Sequence, residues 1–307
     1  MRIAVTGSSG LIGSALVRSL LADGHDVLRL VRHRTGLGVQ PDGSVGVGWN
    51  PVRGEVDLAG LAGTEAVVHL AGAGVADHRW TDAYRQRIRD SRVQGTLTLA
   101  NALPRLDTPP SVLVSASAVG YYGQTGDRVI DETAPPGDDF LAGVCVEWEG
   151  AARPAAEAGI RVVHPRTGLV LSADGGAGAR LLPLFRLGLG GRLGSGEQYW
   201  SFISLADQVA ALRFLIDCEE LSGPVNLTAP QPVTNAELTR ALGRVLGRPT
   251  VLPVPEWALR LVLGDMAIEV VGSHRVLPHK LLTAGFRFAH PQVADALRAA
   301  VTRGAGG

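Results

Sequence analysis

This 307-residue chain predicts an α/β fold: a doubly wound parallel sheet carrying a smaller C-terminal α/β lobe. Short apolar runs alternate with segments of helical period from the N-terminus to about Arg166, the pattern of strands joined by crossover helices. Forty glycines and 46% hydrophobic residues suit many tight strand–helix turns around a sizeable core. The first strand also runs directly into three evenly spaced glycines.

The elements follow in order. Ile3, Ala4 and Val5 read as a buried parallel strand, and Leu11, Ile12, Ala15, Leu16 and Leu20 form one apolar helix face that Gly24 ends. Asp26–Val31 is the second strand, followed by a turn-rich stretch from Thr35 to Ser44 and a third strand, Val45–Trp49. Ala66–Gly72 is a fourth strand ending in small residues, which let a ligand lie against the backbone. A helix over Thr81–Leu103, a fifth strand at Ser111–Ser115, a helix over Asp139–Ala158 and a sixth strand at Arg161–His164 come next, with Arg166 beginning the following turn. Beyond it the pattern loosens. Ala177–Gly196 is glycine-rich, Trp200–Ser204 leads into a helix capped by Asp207, and Val225–Thr228 reads as a late strand. Glu237–Leu246 and Trp257–Leu263 read as helices on either side of a short strand at Val251–Val254.

The glycines carry the chemistry. Gly7, Gly10 and Gly13 fall at GxxGxxG across the first strand–helix junction. That spacing gives a tight turn, close approach of N–H groups to phosphate oxygens, and close packing of helix on strand, with the helix N-terminus favouring the anion. A Rossmann-type dinucleotide site is the expectation. At the tip of the second strand, where an acid would accept the ribose hydroxyl, stand Arg32, His33 and Arg34, with no Asp or Glu between Val27 and Gln40. A guanidinium forks onto a 2′-phosphate, so NADP(H) is the expected cofactor and Arg32 its favoured ligand. Residues 1–168 are the expected NADP(H)-binding domain, with 200–228 returning to it. Residues 169–307 are the expected smaller lobe over the carboxyl edge of the sheet, where a substrate is held.

A net charge of zero leaves no footprint for nucleic acid or an acidic membrane surface. Cys145 and Cys218 lack paired spacing, and no apolar run reaches spanning length, so a cytoplasmic protein is expected. The eight histidines are scattered without ligand spacing, so no metal is expected.

Four segments together resemble the extended short-chain dehydrogenase/reductase superfamily and its epimerase/dehydratase-like proteins. They are Thr6–Gly13, Val67–Gly72, Val114–Gly123 and Pro165–Gly168. Asp77–Trp80, Arg89–Arg92, Gly137–Leu141, Arg275–Lys280 and Gly285–Phe288 are similar to an atypical branch with its own C-terminal domain, whose members are called epimerase family proteins. The resemblance implies a cofactor-binding set of Gly7, Ser9, Gly10, Leu11, Ile12, Arg32, Leu70, Ala71, Gly72, Ser115 and Pro165. It also places the helices Thr81–Leu103 and Asp139–Ala158 where relatives dimerise, so a homodimer is a possible assembly.

The superfamily's working enzymes use a Ser, and a Tyr and Lys spaced YxxxK, often with an Asn. Ser117 matches the Ser. The YxxxK region reads instead Asp138 to Glu149, with Phe140 or Leu141 at the Tyr and Val144 or Cys145 at the Lys, and Arg92 stands at the Asn. The single lysine, Lys280, is far away. An unassisted phenol has a pKa of about 10, so its ionisation at pH 7 costs about 4 kcal/mol. Oxidising an alcohol needs such a base, whereas reducing a carbonyl needs only a proton donor, so reduction is the favoured direction.

Tyr121 and Tyr122 read first as packing or pocket-wall residues and second as the replacement donors. Asp138 and Asp139 read as a helix start or a relay. Arg89 and Arg92 clamp an anionic substrate or pair with neighbouring acids, and Arg166 is a third substrate-binding candidate. His69 reads as a satisfied core histidine, and Trp80, Trp148 and Trp200 as packing residues or a stacking platform. The expected function is an NADP(H)-dependent oxidoreductase or epimerase acting on a small polar or nucleotide-linked molecule. The alternative is an NADPH-binding regulator with little or no catalysis.

Overall fold

A computed structural model describes residues 1–303, apart from the side chains of Arg34 and Arg303. Seven parallel strands form its centre: β1 (Arg2–Thr6), β2 (Asp26–Val31), β3 (Val45–Asn50), β4 (Ala66–His69), β5 (Val112–Ser115), β6 (Arg161–Thr167) and β7 (Gly223–Leu227). Their order is β7-β6-β5-β4-β1-β2-β3, so the winding reverses between β1 and β4. Gly38–Val39 adds a short antiparallel edge to β3, and Ser117–Ala118 extends the line of β5 to pair with Arg166 and Thr167.

The central strands are apolar on both faces because helices cover both. α1 (Leu11–Ala22) lies on one face; α2 (Asp82–Ala102), α3 (Phe140–Gly150) and α4 (Arg153–Glu157) lie on the other. α5 (Gly176–Arg186) leaves for the C-terminal lobe, and α6 (Leu205–Asp217) returns to pack beside α1 through Leu205, Val209, Leu212 and Leu215. The lobe is completed by α7 (Asn235–Leu246), α8 (Glu256–Leu263), α9 (Ala267–Val271), α10 (His279–Thr283) and α11 (Val293–Arg303). Its core joins Leu182, Phe185, Phe202, Leu238, Leu242 and Leu297.

The lobe is stitched to the sheet at several points. Val129–Ile130 pairs with Arg275–Val276, and Leu169–Leu171 with Phe202–Ser204. The buried carboxylate of Asp207 accepts the backbone N–H of Ala289 at 2.7 Å and of His290 at 3.0 Å. Phe286 stacks edge-on against Phe214 of α6.

Four sequence expectations need correction. The helix after Ser204 is capped by Ser204 itself, whose hydroxyl accepts the Asp207 N–H at 3.0 Å; Asp207 sits inside the first turn. The helix over Asp139–Ala158 breaks at Ala151–Ala152, where Pro154 opens a second, shorter helix. Val251–Val254 forms no strand, only an isolated bridge from Val254 to Leu193, because Pro249, Pro253 and Pro255 remove ladder donors. β6 runs on to Thr167, so Arg166 lies within the strand, opposite Asn226 and Ser117, and does not begin a turn.

Candidate functional site

The reversal between β1 and β4 opens the crevice in which a doubly wound sheet takes its ligand. Thr6 ends β1 there and holds both lips together. Its buried hydroxyl oxygen accepts the N–H of Leu70 at 3.0 Å and of Ala71 at 3.1 Å, so its own hydrogen points to Nδ1 of His69 at 2.7 Å. That fixes the His69 proton on Nε2, which has no partner and packs beneath Gly95. Burial lowers the His69 pKa to about 3, so the ring is a neutral strut.

Gly7 follows with φ +62°, and a Cβ there would stand 2.8 Å from the Leu70 carbonyl carbon. A Cβ on Gly13 would stand 2.2 Å from the Gly7 oxygen, so the helix can sit this close only without one. Gly10 is different: its φ of −75° suits any residue, and a Cβ would meet only the Gly7 oxygen, at 3.3 Å. Gly10 is also the N-cap of α1, with no side-chain cap, whereas Thr81, Asp139, Ser204 and Thr234 cap α2, α3, α6 and α7. The first-turn N–H groups of α1 are therefore left for an anion. Gly175 and Gly176 lie against Leu11, over the start of α1. Arg32 follows the last residue of β2 on the same edge, exposed and without an ion pair among the described residues. The bare backbone, the uncapped turn and the neighbouring guanidinium fit a phosphorylated dinucleotide.

Beside this crevice lies a buried polar cluster. Ser117 donates to Oε1 of Glu149 at 2.7 Å, and Glu149 also receives Nε and Nη2 of Arg166, each at 2.8 Å. Arg166 is 3% exposed; burial works against its charge, and Glu149 outweighs burial, so the guanidinium is held protonated more firmly than usual. Its Nη1 donates to the Tyr122 hydroxyl at 3.0 Å, and Tyr122 donates to Oδ1 of Asn226 at 2.7 Å. Asn226 is held in turn by its Nδ2 to Leu277 and by its N–H to the buried carboxylate of Glu132. Burial pushes the Tyr122 phenol up to about 12, with Arg166 partly offsetting it.

Several candidates thus find partners other than a substrate. The Tyr122 hydroxyl faces inward with its donor and acceptor both used. Arg166, expected to bind substrate, is neutralised by Glu149 because the two meet across β6 and α3 inside the core. Arg89, its side chain 43% exposed, is paired with Glu147 of α3 at 2.6 Å. Asp139 caps α3 through the Ala142 N–H, the helix-start reading. Tyr121 stacks under Arg166 with the guanidinium carbon 3.3 Å from its ring centre, and its hydroxyl has no partner among the described residues. Arg92 donates Nη1 to the carbonyls of Ala73 and Ile88 and lies 5.0 Å from the Trp148 ring centre. Leu70, Ala71 and Gly72 continue β4 along the crevice; Ser115 ends β5, buried with a free hydroxyl, and Pro165 is buried in β6. Ser9 is exposed on the turn, and Ile12 opens the apolar face of α1.

The sequence reading missed Thr6, Glu149, Asn226 and Glu132. A signal existed for one: a lone arginine in an apolar strand demands a buried acid, and Glu149 ends the helix that replaces YxxxK. No such signal marks Asn226, which touches Tyr122 across 104 positions.

Residues 3–227 match the NAD dependent epimerase/dehydratase family, and residues 254–300 match a domain of unknown function, DUF1731. "Epimerase family protein Mb2239" of Mycobacterium bovis is 50% identical over 302 residues, 98% of each chain. The crystal structure of human epimerase family protein SDR39U1 (isoform 2) with NADPH superposes at a TM-score of 0.88, with 32% identity over 98% of this chain and 99% of that one. A nucleoside-diphosphate sugar epimerase from Corynebacterium glutamicum superposes at 0.77, with 34% identity over 98% of this chain and 58% of its own.

Proposed function

Because the chain belongs to the NAD dependent epimerase/dehydratase family, we propose that it binds NADP(H) and reduces a carbonyl on a small polar or nucleotide-linked molecule. The observation that carries this reading is the uncapped Gly7–Gly10–Gly13 turn with Arg32 on the same sheet edge. The NADPH held by the human relative supports the choice of dinucleotide.

Gly7, Ser9, Gly10, Leu11 and Ile12 would hold the pyrophosphate, Arg32 the 2′-phosphate, and Leu70, Ala71 and Gly72 the crevice wall, with Ser115 and Pro165 flanking it. Bound NADPH supplies a hydride. The chain's own part is to hold the carbonyl and give a proton. Ser117 places its hydrogen on Glu149, so its oxygen accepts and orients a ligand donor. Tyr122 is too buried and too weakly acidic to serve as a base, which disfavours alcohol oxidation further: at a pKa of about 12, ionisation at pH 7 costs about 7 kcal/mol. Tyr121, with its hydroxyl unpartnered, is the tyrosine able to donate.

Titration of NADPH fluorescence tests the binding half. Arg32→Ala is expected to weaken NADPH at least tenfold, about 1.4 kcal/mol, and to leave NADH unchanged. NADPH consumption with a carbonyl panel tests the chemistry; Tyr121→Phe and Ser117→Ala are expected to lower it at least a hundredfold while binding persists. The second reading, a regulator that holds NADPH without turnover, draws on the inward Tyr122 hydroxyl and the missing lysine. It gains if no carbonyl is consumed by wild-type protein that binds NADPH.

A further inference from the structure

The three arginines expected from the sequence to bind substrate differ in one respect. Arg166 is neutralised by Glu149 and Arg89 by Glu147, but Arg92 has no carboxylate within ion-pair distance among the described residues. Its guanidinium is part-buried, and that burial lowers its pKa, with only Cys145 and Tyr84 supporting the charge. Burying a charge is costly unless something pairs with it. The two carbonyls that receive Nη1 fix its direction without cancelling its charge. Asp77, on the same loop, faces Arg180 at 3.9 Å.

The group is also held in a defined plane. Trp148 lies 5.0 Å away, and a Cβ on Gly72 would stand 3.4 Å from the guanidinium carbon, so the glycine keeps the crevice wall thin at this point. Gly72 and Ala73 follow directly from β4, at the reversal where the sheet takes its ligand. A planar, oriented, uncompensated guanidinium is a receptor for an oxyanion.

We propose that Arg92 alone among these arginines receives a phosphate or carboxylate oxyanion of the bound ligand, held beside Gly72 and Ala73. The inference rests on the dinucleotide reading of the crevice and adds to it the charge class of what lies there. The oxyanion has two possible carriers, the cofactor or the substrate, and if the substrate carries it, the substrate is an anion.

Arg92→Met and Arg92→Lys separate these. Removing an unpaired buried charge into an apolar chain of similar length is expected to leave the melting temperature unchanged or raised; an arginine with only a structural role would lower it. NADPH affinity is read by fluorescence. Inorganic pyrophosphate is then added to NADPH-saturated protein, and the rise in melting temperature is recorded. Arg92→Met is expected to lose at least tenfold in one of the two, and Arg92→Lys to keep most of it. Loss of NADPH affinity assigns the oxyanion to the cofactor; loss of the pyrophosphate effect alone assigns it to the substrate. A methionine variant that matches wild type in both overturns the assignment. If wild-type protein does not bind NADPH, the cofactor reading falls, and pyrophosphate stabilisation of the free protein, wild type against Arg92→Met, still decides the role of Arg92.

Discussion

Gly10 and Gly13 stand three positions apart and are glycine for different reasons. Gly13 touches the Gly7 oxygen, so a methyl group there must move the backbone, and Gly13→Ala is expected to cost about 3 kcal/mol in urea unfolding. Gly10 has an ordinary φ and looser surroundings, so Gly10→Ala is expected to fold within about 1 kcal/mol of wild type. It should nonetheless weaken NADPH at least tenfold, because the methyl group occupies the face a phosphate would approach. Equal stability loss in the two variants would count against this division of labour. This part of the site is legible in the sequence because turn, cap and helix entry are fixed within a few residues. Thr6 is not legible in the same way: its three partners arrive from β4, more than sixty positions on, and nothing local marks it.

Among the elements, α3 is where reading the sequence alone goes furthest astray. The loss of YxxxK from it points to Tyr121 and Tyr122, as a pocket wall or as replacement donors. What α3 delivers is Glu149, which joins Ser117 to Arg166 and ties the tyrosine loop into the core. Glu149→Gln leaves Arg166 buried and uncompensated and is expected to lower stability by about 3–5 kcal/mol, measured by chemical unfolding. The pair was hidden because its members lie on a helix and a strand whose register only packing decides.

A second acid is informative on α9. Burial, with Asp139 of the α3 cap adding to it, raises the Glu269 pKa from 4.5 to about 7. Between those values the folded protein holds a proton that the unfolded chain releases. The contribution is therefore complete below about pH 4.5 and fades as pH rises through 7. Allowing for partial exposure, it amounts to about 2 kcal/mol. Glu269→Gln is expected to remove this loss of stability, seen as a melting temperature that declines less between pH 5 and 8 than in wild type; an unchanged slope would assign the pH dependence elsewhere.

At the scale of the whole molecule, the alternation of apolar runs and helices made the parallel sheet readable, because each crossover is nearly local. The C-terminal lobe was less so. Its elements are short and proline-interrupted, and they gain their shape from contacts with distant segments of the chain, such as Arg275–Val276 on Val129–Ile130. Asp207 is the deepest of these fastenings. Asp207→Asn keeps one acceptor for the Ala289 and His290 N–H groups and is expected to cost about 1–3 kcal/mol, seen as a lower urea midpoint.

Between Arg275 and His290 the chain is riveted down three times in sixteen residues, by a strand pair, a phenylalanine stack and a carboxylate, so its tail end is tied to segments far earlier in the chain. Gly175 and Gly176, on the way into the C-terminal lobe, rest on Leu11 at the entry of the first helix, where a side chain on either would meet Leu11.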